Sequence, residues 1–196
     1  MKRAFDVLVS FIVLVLFFPI GLMLAFLIVI ESKGGVFYYQ ERVGQNQQLF
    51  SLIKFRSMRI NADLQGQLTV GSRDSRITKV GFFIRKFKLD EFPQFINVLN
   101  GDMSIVGPRP EVPKYVALYT EQQLKVLTVK PGITDYASIA YFHENEILAR
   151  AADPEKAYIE EVMPAKIQLN QRYLAKPTLS ADLKIMLLTF LKMLGR

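Results

Sequence analysis

The chain has no cysteine, no tryptophan and one histidine. Without thiols there is no disulfide, no thiolate metal site and no cysteine nucleophile, and a reducing, cytoplasmic setting is compatible. The lone His143 stands near Glu144 and Glu146, but a metal site would need a second histidine or another placed carboxylate that the sequence does not reveal. A surface helix or loop is its expected setting. Internal repeats at periods of about 20 to 50 residues are missing, as are low-complexity tracts. Negative charge is also short: Lys+Arg exceed Asp+Glu by 25 to 18, a net charge of +7. That balance favours polyanions, whether nucleic acid, anionic lipid headgroups or phosphorylated substrates. At 196 residues the chain fits one domain with a real core.

Apolar sequence, by contrast, is abundant. Val7 to Ile30 carries no charge and would extend about 36 Å as a helix, enough for a hydrocarbon core of about 30 Å. It exceeds a signal-peptide apolar region, and no A-x-A-like cleavage site follows. Pro19, with Gly21 behind it, sits mid-run, where it deletes a helical hydrogen bond and predicts a kink. Halves of roughly 17 Å suit a helix pair that dips into one leaflet as well as a kinked span. Lys2 and Arg3 precede the run and Lys33 and Arg42 follow it, a symmetry that favours both ends on the cytoplasmic side. Two further stretches have interfacial character. "ITKVGFFIRKFK" (77–88) interleaves aromatics with cations, and "SADLKIMLLTFLKMLGR" (180–196) is apolar around most of its circumference. Each also fits a core helix.

Between them, "GVFYYQERVG" (35–44) and "LFSLIKFRSM" (49–58), joined by the polar "QNQQ", predict a hairpin that puts Lys54 and Arg56 on one face. The polar, glycine-containing stretch 61–75 reads as a loop. In "LDEFPQFINVLNGD", Asp90 falls at a helix N-cap position, Glu91 and Pro93 in the first turn, and Asn100-Gly101 at the stop. On that reading Asp90 caps, Glu91 complements the helix dipole, and no chemistry follows. "SIVGPRP" (104–110) holds Arg109 between two prolines, which stiffens a guanidinium suited to phosphate. "VKPGIT" (129–134) is a second rigid turn.

The ordered combination of a proline-centred anchor, "IKFRSM", a basic helix, "LDEFPQFINVLNGDMSIVGPRP", "KPGIT" and "ADLKI" resembles the bacterial sugar transferase family, the monotopic phosphoglycosyl transferases. The resemblance covers nearly the whole chain and is strongest from Leu89 to Pro110. It implies transfer of a phosphosugar from a UDP-sugar to undecaprenyl phosphate, releasing UMP and starting a surface glycan. By matching position it implies Asp90 as the nucleophile that takes the phosphosugar covalently, and Glu91 as its partner near Mg²⁺. Lys54, Arg85 and Arg109 become phosphate or nucleotide contacts, Asp182 a further site residue, and Pro19 the break of a re-entrant anchor.

The expected fold is α+β: a mostly helical single domain with a small β-hairpin, an N-terminal proline-broken re-entrant membrane helix and interfacial amphipathic helices. Residues 1–33 would anchor and 34–196 form the catalytic part, on the cytoplasmic face of a bacterial inner membrane. Expected partners are the UDP-sugar, undecaprenyl phosphate and membrane lipid, with a homodimer left open. Two positions depart from the family pattern. Phe18 stands where relatives often carry a small hydroxyl residue, and Asp135 follows "PGIT" where many members have glycine, so sugar specificity does not carry over. A non-enzymatic, membrane-anchored polyanion binder is the alternative, needing the basic helix and aromatics but not Asp90, Glu91 or Arg109. Nucleic acid is a poorer partner, since no recognised binding motif is present.

Overall fold

A computed structural model of the chain describes residues 2–62, 66, 68, 70, 71 and 74–195; part of the 61–75 loop lies outside this set. In order the elements are α1 (Lys2–Glu31), β1 (Phe37–Val43), β2 (Leu49–Phe55), α2 (Lys79–Lys86), a 3₁₀ turn at Leu89–Glu91, α3 (Gln94–Asn100), β3 (Ser104–Val106), α4 (Pro113–Val116), α5 (Glu121–Leu124), β4 (Gly132–Thr134), α6 (Tyr136–Ala140), α7 (Glu144–Ala149), α8 (Pro154–Ala157), a π-helical stretch at Tyr158–Val162, α9 (Met163–Leu174) and α10 (Leu179–Leu194). The chain is mostly helical with one small antiparallel hairpin, as its sequence pattern indicates.

The hairpin pairs β1 with β2 from Phe37↔Phe55 to Val43↔Leu49. Its period of two leaves Phe37, Tyr39 and Glu41 exposed and turns Tyr38, Gln40 and Arg42 inward. A second pairing was not expected. The residues before "GPRP" and those within "KPGIT" form the short parallel pair β3–β4, with Ser104↔Gly132 and Val106↔Thr134 in register. Two glycines permit it: a Cβ on Gly132 would overlap the backbone of Gly107, and one on Gly107 would press on the carbonyl of Lys130. The crossing is locked by Gly132 N–H donating to Pro108 O at 2.9 Å and Gly107 N–H donating to Thr134 O at 3.1 Å.

In place of helix, break and helix, Lys2–Glu31 is one helical element with Pro19 inside it. Both of its ends are bonded into the rest of the molecule. At the start, Lys2 Nζ reaches Asp182 at 2.6 Å and Val106 O at 3.1 Å, Arg3 donates to Val98 O and Leu99 O at 2.5 and 3.0 Å, and buried Asp6 accepts from the Ser104 hydroxyl at 2.8 Å. At the finish, Glu31 accepts the first backbone N–H groups of α2, from Lys79 at 2.6 Å and Val80 at 2.7 Å. These are orphan groups that every helix end must satisfy. Between its ends α1 buries Leu24 and Ile28 against Phe55 and Ile84, while Leu8, Phe11, Leu16, Phe18, Phe26 and Ile30 are exposed. Exposing such side chains forgoes about 1.5–3 kcal/mol each, so a handful equals the net stability of a domain, about 5–15 kcal/mol. A helix of this kind suggests membrane association.

Helices α2 and α10 present similar faces. Thr78 caps α2 by accepting from Gly81 N at 2.9 Å; Ile84 is buried, and Phe82, Phe83 and Phe87 project outward. In α10 Asp182 and Ile185 are buried, whereas Leu183, Leu187, Phe190, Leu191 and Leu194 are exposed. A core role therefore accounts for one face of each helix and not the other.

Because the β3–β4 crossing has no room for a side chain, Gly132→Ala should destabilise the fold by about 1–3 kcal/mol, read as a lower melting temperature by circular dichroism. An unchanged melt would mean that the crossing yields freely.

Candidate active site

A cavity of about 1150 Å³ opens among β1, β2, the Leu89–Glu91 turn, the 107–112 loop, α6, α9 and the end of α10. Asp90, Glu91, Lys54, Arg85 and Arg109 all line it, together with Arg42 and Lys88. Five of the residues singled out from sequence are thus brought to one place.

Asp90 is not an N-cap. It lies in the 3₁₀ turn, and α3 begins only at Gln94 with no side-chain cap. Pro93 explains the offset: in the helical conformation at α3's N-cap position, with no N–H to give, it directs the chain from the short turn into the helix. Lys88 enters the turn with a left-handed φ of 56°, which costs a non-glycine residue of order 1 kcal/mol and recurs at functional sites. The Asp90 side chain is buried, and its Oδ1 has no hydrogen-bond partner. A capping residue would have spent that oxygen on a backbone amide. Burial pushes the Asp90 carboxyl up from its ordinary value, neighbouring Glu91 adds to this, and Arg85, Lys54 and Lys88 pull it back.

Glu91 behaves oppositely. Arg109 grips it with both guanidinium arms, Nη1 to Oε2 at 3.0 Å and Nη2 to Oε1. Burial alone would raise the Glu91 carboxyl, but the Arg109 charge and hydrogen bonds, with Lys54 and Lys88 behind them, hold it well below the carboxylate range. Two adjacent carboxylates are thereby pushed apart, one fixed as an ion pair and one left available, a pattern that separates chemical roles. Asp135 secures the partner. Fully buried, it accepts the Arg109 backbone N–H at 3.1 Å through one oxygen and caps α6 through the other, from Ser138 N at 2.6 Å.

Lys54 reaches the site because Asn97 of α3 clasps strand β2, accepting from Ile53 N at 3.0 Å and donating to Ser51 O at 2.8 Å. Burial, then Arg42 and Arg109, push the Lys54 ammonium down to about 7. Arg56, expected beside Lys54 on one strand face, lies past the end of β2; it donates to Ser32 O and Lys33 O at 2.8 Å and so closes the C-terminal end of α1. Asp182 is not brought to the cavity. Both its oxygens are engaged, by Lys2 at 2.6 Å and by the Tyr173 hydroxyl, and it fastens α10 to α1 and α9. His143 is exposed, 3.6 Å from Glu146, in keeping with a surface role.

Sequence reasoning missed several wall residues. Arg42 donates to Glu111 at 3.2 Å and Pro110 O at 3.0 Å, and Tyr158 donates to the other Glu111 oxygen. Together they brace the loop that carries Arg109. Strand alternation from Tyr38 through Gln40 could have found Arg42. No local pattern announces Glu111, Tyr158 or Lys88.

The whole of residues 1–196 matches the family of bacterial sugar transferases. The chain belongs to that family. It is 36% identical over 166 residues to the exopolysaccharide production protein ExoY of Rhizobium meliloti, covering 77% of this chain and 74% of that one. Over 143 residues it is 41% identical to a UDP-N-acetylgalactosamine-undecaprenyl-phosphate N-acetylgalactosaminephosphotransferase of Aeromonas hydrophila, 71% of this chain and 34% of that one. Over 200 residues it is 34% identical to a UDP-glucose:undecaprenyl-phosphate glucose-1-phosphate transferase of Escherichia coli, 98% of this chain and 40% of that one. The chain therefore spans about a third of the Aeromonas protein, two fifths of the Escherichia coli protein and three quarters of ExoY.

For a sugar transferase with this cavity, the Lys54 ammonium supplies a cation that fades as pH rises through about 7. The free-enzyme parameter kcat/KM should then fall across that range. Lys54→Arg, charged throughout, should move the alkaline fall upward by about two pH units or more. A profile unchanged in that variant would assign the fall to another group.

Proposed function

We propose that the chain moves a sugar 1-phosphate from a UDP-sugar to undecaprenyl phosphate, releasing UMP, through a covalent intermediate on Asp90. What carries this reading is the buried Asp90 carboxylate, one oxygen unpaired, facing a cavity walled by Lys54, Arg85, Lys88 and Arg109. A polyanion binder has no use for a buried acid in its cationic wall, so the observation disfavours the non-enzymatic alternative. The names of the relatives supply the donor and acceptor classes.

In the first step an Asp90 oxygen attacks the phosphorus that bears the sugar. The bond from that phosphorus to the bridging oxygen breaks, and UMP departs with the electron pair. In the second step a phosphate oxygen of undecaprenyl phosphate attacks the same phosphorus, the aspartyl–phosphorus bond breaks, and the carboxylate is restored. Each substrate uses one small site in turn. A carboxylate meeting a diphosphate with two charges feels about 8 kcal/mol of repulsion at 4 Å and an effective dielectric near 20, close to six decades of rate. Lys54, Arg85 and Lys88 lie where they offset it, and Arg109, tied to Glu91, cancels the second carboxylate.

A magnesium ion fits this donor set. Mg²⁺ takes one or two carboxylates and completes its shell with phosphate oxygens and water. Asp90 offers an oxygen with no internal partner, and Glu91 lies beside it; among the described residues no cluster of three or more histidines and acids offers another site. Asp90 would hold the ion, with Glu91, whose two oxygens already accept from Arg109, sharing a remaining lone pair with it, and the bound ion would supply charge neutralisation at the diphosphate.

The reading places the catalytic part on the cytoplasmic face of the bacterial inner membrane, with the product entering exopolysaccharide or another surface glycan. Support for a one-sided anchor comes from α1: its two ends, about 45 Å apart if straight, both bond to the same body of helices and strands. Single cysteines at Ala4→Cys and Gly35→Cys, in a chain with none of its own, should label from the same membrane face. Labelling from opposite faces would make α1 a span. Incubation with a sugar-labelled UDP-sugar should leave label on the wild-type protein and none on Asp90→Asn, with UMP as the nucleotide product; UDP as product, or label retained by Asp90→Asn, would defeat the mechanism. Chelation should abolish UMP release and added Mg²⁺ restore it.

A further inference from the structure

Among the described residues, two neutral side chains in the cavity wall hold a polar atom with no hydrogen-bond partner and have no part in the phosphate chemistry: Ser138 on α6, through its hydroxyl, and Asn170 on α9, through its amide oxygen. Asn170 is 6% exposed and shares one face of α9 with Met163, Lys166 and Ile167, all lining the cavity. Lys166 is neutralised by Glu144 at 2.7 Å, so this wall, unlike that around Asp90, offers neutral polar groups between apolar ones. Buried polar atoms are costly to leave unpaired, which marks a place that a ligand completes. An amide oxygen accepts only, so its partner must donate. A phosphate at neutral pH carries no such donor, whereas a sugar hydroxyl donates and accepts. Position agrees with chemistry, because the two Asp135 oxygens hold the backbone N–H groups of Arg109 and of Ser138 at 3.1 and 2.6 Å. Ser138 is therefore one carboxylate's width from the loop that carries the phosphate-side cation, where a group bonded to the attacked phosphorus would lie.

We propose that Ser138 and Asn170 form the subsite that hydrogen-bonds the hydroxyls of the donor's sugar ring, an inference that rests on the transferase reading above. Asp135 then acts as a positioning residue that sets the sugar-reading wall against the phosphate anchor. The nucleobase also carries an N–H donor, so the test separates the two ends of the donor. UMP release would be measured for wild type, Asn170→Leu and Ser138→Ala with a panel of UDP-hexoses and UDP-N-acetylhexosamines and undecaprenyl phosphate, with competition by UMP alongside. Asn170→Leu should lower kcat/KM about tenfold for the preferred donor, change the order of preference among donors, and leave UMP competition as in wild type. Its melting temperature should hold or rise, because an unpaired amide has no internal bond to lose. Should it fall instead, Ser138→Ala, which removes one oxygen, decides by the same comparison. UMP competition weakened in step with kcat/KM would assign these groups to the nucleotide, and unchanged kcat/KM across the panel would remove them from the site; either overturns the proposal. If wild type releases no UMP from any donor, the transferase reading itself falls, an outcome distinct from both.

Discussion

A buried carboxylate with one oxygen kept without a hydrogen-bond partner, beside a second carboxylate, is the constraint around which this structure is arranged. Left alone, Asp90 and Glu91 would repel each other and both would resist ionisation. The bidentate Arg109 pair removes Glu91 from that competition and leaves Lys54, Arg85 and Lys88 to act on Asp90. Arg109 can do so only if its loop is fixed, and three devices fix it: the glycine crossing of β3 and β4, the Asp135 carboxylate on its amide, and the Arg42–Glu111–Tyr158 brace behind it. Stability is given up at one residue and recovered in the surroundings, the usual distribution at a reactive site.

The apolar helix α1 is part of that arrangement. The turn carrying Asp90 and Glu91 lies between α2 and α3, and each of these helices is tied to one end of α1, the first turn of α2 to Glu31 and the last carbonyls of α3 to Arg3. Midway, the rings of Phe17 and Phe92 stack at 4.0 Å, directly beside the acidic pair. The segment that suggests membrane association is therefore also the clamp that spaces the two helices flanking the nucleophile candidate. A chain divided at residue 33 would lose the partners of α2 and α3 along with its apolar helix.

How much of this was legible in the sequence follows from the range of each interaction. The hairpin and the apolar run rest on local periodicity, and both were found where the pattern puts them. Lys54, Arg85, Asp90, Glu91 and Arg109 converge as the motif order indicates. What failed was local logic applied to a site with tertiary demands: Asp90 has every sequence mark of an N-cap, yet the helix starts later because Pro93 and a left-handed Lys88 set the turn. Arg56 also lines the cavity, but as the brace of the end of α1 rather than as Lys54's neighbour on one strand face, and Asp182, implied by resemblance, is fastened to Lys2 at the start of α1, a partner far away in sequence. The β3–β4 pair was hidden because its two strands are three residues each and read as rigid turns.

On the proposed two-step transfer, the Lys54 ammonium would let one cavity serve steps of different charge. Before a donor binds, Arg42 and Arg109 crowd it and burial starves it of water, so near neutral pH it is poised between charged and uncharged forms. An arriving diphosphate adds negative charge at close range, which favours the protonated form and draws in a proton as the anion binds. When UMP leaves in that proposed sequence, part of the negative charge goes with it, and the proton can be lost again before the acceptor phosphate enters. A permanent cation such as arginine in this position would hold its full charge through both steps and favour retaining the first product. In that proposal the acidic pair supplies the chemistry, and a lysine held near neutrality lets the same wall bind two different phosphates in turn.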